Sequence, residues 1–486
     1  MLAWGALSPP WANDLVGGDE GYYGVMARNM AADRAQWPAP SLSPLGDPGD
    51  KPPLYPAMIA LSLRAFGNTP LGVRAMSLLA SVVILWACAS LARRASTDAG
   101  GWATLAILAT LPWFADAARV ACAELPLAAF GLLALLVLSG GTPSLPRGLA
   151  AGALFGLGFL CKLWLVVLPG IPALIYLLPA RRHVLLTGVM IGFMTVAIAH
   201  LGLFAWLHPD HLQLWANVAW TFSLSSRAVG QGFASYWLHG PTYYAEIVFK
   251  ALALTMPLLM VGTLHAAVGN TRTLARSLVG AFAGLALMSL FRVKSGIYMV
   301  PLVPLLATLA GVGFSELYGG FKSWPLPLPT GAARGFGFLV VGIAVLVGGA
   351  RTAQRLPMRY HDTGYAAISG ALAPYLQIAP SGRGVPDSGP GRAVLVAPEA
   401  PSFAFHLFRP VEYWDTPYHP WTAERFAALA NDSGPRAFVV DPTQRFYGGW
   451  PDSATVRWLE GHTREITSEV PTRDRRPLEL RVFVKP

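Results

Sequence analysis

The sequence predicts an α-helical polytopic membrane protein ending in a small C-terminal α/β domain, and three observations carry that prediction. Of 486 residues, 54% are hydrophobic and only 13% charged, with a mean hydropathy of +0.46, which is too apolar for disorder or for an ordinary soluble globule. Apolar windows long enough to span a bilayer recur along most of the chain. The charge also divides: the first 350 residues hold 20 Lys/Arg against 12 Asp/Glu, and the last 136 hold 16 against 14. Residues 1–350 therefore read as a transmembrane domain and 351–486 as a soluble one.

The spanning windows fall near 71–92, 101–115, 121–139, 147–161, 163–179, 184–207, 244–268, 277–291, 297–316 and 334–350. These give ten passes, or ten to eleven helices in all. Only Lys162 separates the fourth window from the fifth, so two short helices should meet there at one membrane face. Met1–Leu7 is apolar but too short to span, which reads as a truncated first helix or a misassigned start.

Orientation follows from basic residues in short loops. Arg93/Arg94, Arg147, Arg181/Arg182, Arg272/Arg276 and Lys322/Arg334 occupy alternate loops, which should be cytoplasmic. The loops 8–70 and 208–243, the turn at 292–296 and the tail then face outward, as expected for a multi-pass protein of the cytoplasmic (inner) membrane. Lys51, Arg119, Lys162, Arg227, Arg292 and Lys294 remain on the outward side against that rule, and an anionic ligand would explain them.

Within the first outward loop, Tyr22–Ala32 places Val25, Met26 and Met30 on one face and reads as an interfacial amphipathic helix. Six prolines between Pro38 and Pro53 interrupt the next stretch, and Leu54–Phe66 reads as a second membrane-surface helix. In the tail, 378–395 is a Gly/Pro/Ser spacer. Apolar runs at 393–397 and 437–440 read as buried strands flanking a helix at 421–431, and 478–484 as a last strand.

Carboxylates are scarce before residue 350, and six of the 12 lie in the first outward loop. Asp19 and Glu20 would cap a helix N-terminus; equally, a carboxylate against an apolar wall has a raised proton affinity and can accept a hydroxyl proton. Glu124 opens an apolar helix, where an ionisable group marks function, or it pairs with Arg119. Lys51, Lys162, Arg227 and Lys294 come from four separate loops, the arrangement needed to surround a lipid phosphate and stabilise a departing anion. Singly, each is as well explained as a snorkelling anchor. Tyr298 would donate to the same phosphate or sit in the aromatic belt, and His239 is a candidate for an active-site hydrogen bond. His208, Asp210 and His211 lack a third firm ligand, so no metal site is assigned there.

Several classes are disfavoured. There is no phosphate-binding P-loop, dinucleotide fingerprint, Cys-x-x-Cys pair or Gly-x-Ser-x-Gly elbow. A net charge of +10 without any Lys/Arg-rich run argues against nucleic acid. Cys88, Cys122 and Cys161 lie in or beside apolar runs and read as core residues. If the chain acts on a sugar at the outward side, that sugar must arrive already activated, and a lipid-phosphate donor fits the topology.

The ordered residues Asp19-Glu20-x-x-Tyr23, Arg28-x-Met30, Lys51-Pro-Pro-Leu54, Arg119, Glu124-Leu-Pro126, Gly158-x-x-x-Lys162, His239–Tyr244 and Lys294-x-x-x-Tyr298-x-x-Pro301-x-x-Pro304 resemble the aminoarabinose transferase and protein O-mannosyltransferase group. These are GT-C glycosyltransferases that use polyprenyl-phosphate sugars. The resemblance implies inverting transfer to a lipid, glycan or protein acceptor, lipid A modification among such reactions. Asp19, with Glu20 and Glu124, would serve the acceptor; Lys51, Lys162, Arg227, His239, Lys294 and Tyr298 would hold the donor phosphate; Tyr22, Tyr23, Arg119, Tyr243 and Tyr244 would line the substrates. Glu124 stands where the group usually has Asp, and Tyr22 where aminoarabinose transferases usually have Arg; a different donor or acceptor would enter at these positions. No cofactor is required by this reading, and a divalent cation is compatible with it. The alternatives are a transporter or flippase of the same lipid, which would place polar groups at mid-membrane, and a noncatalytic scaffold displaying the tail.

Overall fold

The computed structural model of the chain describes residues 19–32, 51–179, 182–207, 209, 240–268, 273–291, 294–319, 329–358, 365–376, 394–397, 405, 411–413, 436–440, 453–470 and 481–485. Helices α1 (Asp19–Ala32) and α2 (Leu54–Phe66) precede α3 (Pro70–Ala95), α4 (Asp98–Thr110), α5 (Pro112–Ala118) and α6 (Glu124–Leu138). Helix α7 (Leu145–Lys162) passes through a 3-10 turn, Leu163–Val166, into α8 (Val167–Leu177) and then α9 (His183–Leu207). Helix α10 (Tyr243–Leu252) passes through Ala253–Thr255 into α11 (Met256–Val268), followed by α12 (Thr273–Leu278), α13 (Gly280–Ser289), α14 (Val303–Gly319) and α15 (Thr330–Met358).

All ten apolar windows lie on these helices. By length and apolarity five stretches can cross a membrane: Pro70–Ala95, Leu145–Leu177, His183–Trp206, Tyr243–Ala267 and Thr330–Gln354. The second of these is two helices joined by a 3-10 turn. Gly148 lies against Leu185 and Gly188, Gly152 against Val189 and Gly156 against Val196, so α7 and α9 run parallel and α8 must carry the chain back between them. The helix reversal expected at Lys162 is therefore present.

Small residues set the helix spacing, as they do where lipid removes the hydrophobic drive for helix association. A Cβ on Gly262 would sit 2.0 Å from the Leu309 carbonyl oxygen, and one on Gly313 would sit 2.0 Å from that of Leu258. The backbones of α11 and α14 thus touch. His265 and Glu316, 3.2 Å apart, fix the two helices as parallel. On another side of α14, Gly311 meets Thr104 and Gly100 and Ser315 bonds Thr97 at 2.6 Å, so α4 runs antiparallel to it.

The chain divides into two compact units, one comprising Met1–Ser8, Asp50–Tyr55 and Arg74–Pro357, the other Pro9–Gly49, Pro56–Val73 and Met358–Pro486. The second unit contains α1, which differs from the interfacial helix expected there. Ten of its 14 residues are buried, from Glu20 to Met30, including Arg28 and Asn29, so it has no solvent or lipid stripe. Arg28 donates to the Phe405 carbonyl at 2.7 Å, Gly24 faces the Phe405 ring and Arg64 reaches the Ala31 carbonyl at 3.4 Å. Burial lowers the Arg28 guanidinium to about 10, still well above neutral pH.

The same unit holds a five-stranded sheet of β1 (Val394–Ala397), β2 (Val411–Tyr413), β3 (Arg436–Val440), β4 (Arg464–Glu465) and β5 (Arg481–Lys485) in the order β2-β1-β3-β5-β4. β1 pairs parallel with β2 and β3, and β5 pairs antiparallel with β3 and β4. Residues 437–440 are fully buried against α16 (Tyr365–Leu372) and α17 (Ser453–His462), which explains their unbroken apolar run. The helix expected at 421–431 lies outside the described residues.

Candidate functional site

In the membrane unit, α6 and α7 run antiparallel and bring Glu124 to Lys162. Glu124 Oε1 and Lys162 Nζ are 3.2 Å apart, with side chains 0% and 5% exposed. The carboxylate sits in the first turn of α6, where the helix dipole favours an anion. This corrects the pairing with Arg119: Arg119 ends α5 and is itself buried, but the cation on Glu124 is Lys162.

The pair is held from behind. Cys122 Sγ donates to Glu124 Oε2 at 3.3 Å. The Cys122 backbone N–H donates to Ser77 Oγ at 3.1 Å, and Ser77 Oγ shares a 2.7 Å hydrogen bond with Tyr55 Oη. On the other flank, Leu163 has φ +43° and is the one non-glycine residue with positive φ among the described residues. Backbone held this way costs about 1–3 kcal/mol, and it ends α7 directly after Lys162, fixing the direction from which the ammonium enters.

Trp164 links this corner to the segment after α13. Its ring lies 5.9 Å from Phe291 and 5.8 Å from Tyr298, so Lys162 and Lys294 come from adjacent segments. Lys294 is buried at 3% exposure and donates to the Phe291 carbonyl. Burial pushes its ammonium below the ordinary lysine value, a cost that an anion beside it would offset. Tyr244, fully buried, accepts from the Ser295 N–H at 3.1 Å, and the Tyr243 and Tyr244 rings are 5.2 Å apart. Lys51 is half-buried ahead of α2.

In the other unit, Asp19 and Glu20 form the first turn of α1, with Glu20 and Tyr23 buried and Tyr22 half-buried. Arg227, His239, His208, Asp210 and His211 lie outside the described residues. Among the described residues, no three His, Cys, Asp or Glu side chains form a metal-binding group. Ser77, Tyr55, Leu163 and Trp164 were not singled out from the sequence, and Cys122 was read only as a core residue. Only the Gly158-x-x-x-Lys162-Leu-Trp run hinted at them, through an aromatic residue next to a charged helix end.

Chemically, the arrangement offers a buried carboxylate–ammonium pair and a second buried ammonium beside an aromatic wall. The Arg94 and Arg147 side chains lie at the opposite end of the α6–α7 pair, where Arg147 donates to the Val137 carbonyl at 2.7 Å and Arg94 to Ser139 Oγ at 3.1 Å.

Residues 50–207 match the family described as dolichyl-phosphate-mannose-protein mannosyltransferase. No curated protein matches the chain. The fold is shared with ArnT from Cupriavidus metallidurans in the apo state, at a TM-score of 0.69 and 16% identity over 99% of this chain and 96% of ArnT. The undecaprenyl phosphate-bound form gives 0.68 and 17% over the same shares. The archaeal oligosaccharyltransferase AglB from Archaeoglobus fulgidus, in complex with an inhibitory peptide and a dolichol-phosphate, gives 0.57 and 13% over 90% of this chain and 68% of AglB. The chain thus has the ArnT-like GT-C fold, as the motif resemblance implied. The enzyme class expected from the sequence, a glycosyltransferase, is that of the matching family and of AglB.

Proposed function

We propose that the chain is an inverting glycosyltransferase that moves a sugar from a polyprenyl-phosphate donor to a lipid, glycan or protein acceptor at the outer face of the cytoplasmic membrane. The observation that carries the reading is the match over 99% of the chain to the undecaprenyl phosphate-bound form of ArnT. The family match at residues 50–207 supports it independently.

In the proposed reaction, the acceptor oxygen attacks the anomeric carbon as the bond from that carbon to the phosphate oxygen breaks. The acceptor proton passes to the Asp19 carboxylate, with Glu20 in the same helical turn. The polyprenyl phosphate leaves as an anion stabilised by Lys51, Lys162 and Lys294, with Tyr298 as hydrogen-bond donor. Glu124 would position the Lys162 ammonium. Arg227 and His239 are assigned to the donor phosphate, and Tyr22, Tyr23, Arg119, Tyr243 and Tyr244 to the substrates. Residues 1–350 would form the membrane catalytic domain and 351–486 an extracytoplasmic domain. The opposed ends of α6–α7 support this polarity, with Arg94 and Arg147 at the end expected to be cytoplasmic.

The flippase reading draws on the broken helices at Leu163–Val166 and Ala253–Thr255, a form that transporters use at their sites. One experiment decides between them: a panel of radiolabelled polyprenyl-phosphate sugars offered to membrane extract, with wild type and Asp19→Asn, with and without chelator. Transfer that Asp19→Asn abolishes supports the enzyme, and the chelator arm tests the divalent cation. Lipid crossing vesicle bilayers without transfer from any donor would favour the flippase.

A further inference from the structure

A second site lies in the same unit, built from other residues. Between α4–α5, α10 and α15 there is a cavity of about 250 Å³ whose lining includes Thr110, Trp113, Lys250, Leu254, Gly348 and Arg351. Two helix interruptions face it: the extended Leu111 between α4 and α5, and the 3-10 turn Ala253–Thr255 between α10 and α11. Irregular backbone among spanning helices is tolerated where it lines a cavity. Gly348 and Thr352 of α15 close on the Thr110 carbonyl, which accepts from Thr352 Oγ1 at 3.2 Å.

The charges sit together at one membrane face, because Arg351 is near the end of the span Thr330–Gln354 and Lys250 near the start of the span Tyr243–Ala267. Lys250 is 3.9 Å from Glu246, both side chains being well exposed. Among the described residues, Arg351 has no hydrogen-bond or ion-pair partner. Two cations and one carboxylate leave a net charge of +1 above apolar walls of Ile107, Leu111, Ile247 and Leu254. The volume is below the roughly 300–1,000 Å³ of pockets that enclose a whole drug-sized ligand, which suits a headgroup whose chains continue along the helices outside.

From this we infer that the cleft binds the singly charged phosphodiester headgroup of an anionic membrane phospholipid, with Arg351 and Lys250 on the phosphate and Trp113 at the glycerol level. The inference does not depend on the transferase reading.

The test is native mass spectrometry of the full chain in mild detergent with dioleoyl phosphatidylglycerol or dioleoyl phosphatidylcholine. Wild type should retain phosphatidylglycerol in preference to phosphatidylcholine. Retention should fall about fivefold in Lys250→Gln or Arg351→Gln and roughly 30-fold in the double variant, and Glu246→Gln should raise it. Brominated phosphatidylglycerol should quench wild type more than Trp113→Phe, which locates the lipid. Equal retention of the two lipids, a double variant that behaves as wild type, preferential retention of undecaprenyl phosphate, or quenching unchanged by Trp113→Phe would each overturn the assignment. Both cations are exposed, so the variants should fold as wild type does.

Discussion

The Glu124–Lys162 pair permits a quantitative test. At 3.2 Å and an effective dielectric of about 20, the attraction is about 5 kcal/mol, and both ions are almost wholly out of water. Removing one partner takes from the other the opposite charge at 3.2 Å, so Glu124→Gln or Lys162→Met should each destabilise the protein by about 3–5 kcal/mol. The double variant removes both members of the pair. It should recover most of that loss, giving a coupling well above the ~0.5 kcal/mol scatter of independent sites. Unfolding of the full chain in mixed dodecyl sulfate micelles, followed by tryptophan fluorescence, measures all four corners of the cycle. Sugar transfer should stay low in the double variant even where stability returns, because Lys162 is assigned to the donor phosphate. Additive single effects would refute the reasoning, since they would mean that the two side chains do not interact.

Three further outcomes are expected. Phe405→Ala should cost about 3–5 kcal/mol by opening a cavity and should lower transfer, because the ring backs Gly24 on the helix that carries Asp19; unchanged transfer by folded protein would separate the two. Gly262→Ala should destabilise by about 1–3 kcal/mol through overpacking, whereas Gly202→Ala, which meets open space, should be neutral or stabilising in the same unfolding assay. Arg481, by hydrogen bonding, holds the Glu465 carboxyl below its ordinary 4.5. The stability this pair gives is therefore present above that value and lost as pH falls through the lower folded one. The protection factor of the β5 amides, taken against the free-peptide exchange rate at each pH, should fall on acidification in wild type and respond less in Glu465→Gln.

Much of the membrane fold is legible because its signals are local. Leu54–Phe66 is bounded by Lys-Pro-Pro on one side and Gly67 on the other, and the helix occupies those residues. The strands at 394–397 and 436–440 are built on the apolar runs 393–397 and 437–440. β2 and β4, at three and two residues, are too short to show a period, and α17, though amphipathic, spans only 10 residues, shorter than the window in which a helical period stands out. Helix α1 misleads because its polar positions are buried too: Arg28 spends its guanidinium on a carbonyl far along the chain. The candidate charges are readable by residue type, but their pairing is not. Lys162 reaches Glu124 only through the antiparallel register of α6 and α7, and Arg119, adjacent in sequence, is the natural but incorrect partner.

The glycine contacts of α14 bear on biogenesis. This helix offers bare backbone to α4 through Gly100 and Gly311 and to α11 through Gly262 and Gly313. From the end of α4 at Thr110 to the start of α14 at Val303, the ribosome needs roughly 10–40 s at ~5–20 residues per second. Until α14 is made, the glycine face of α4, and that of α11 once Val268 has been added, lack the partner seen in the finished fold. The last of the three helices to be made is the one that covers them, so a nascent chain stalled between Val268 and Val303 would present two glycine faces without their partner.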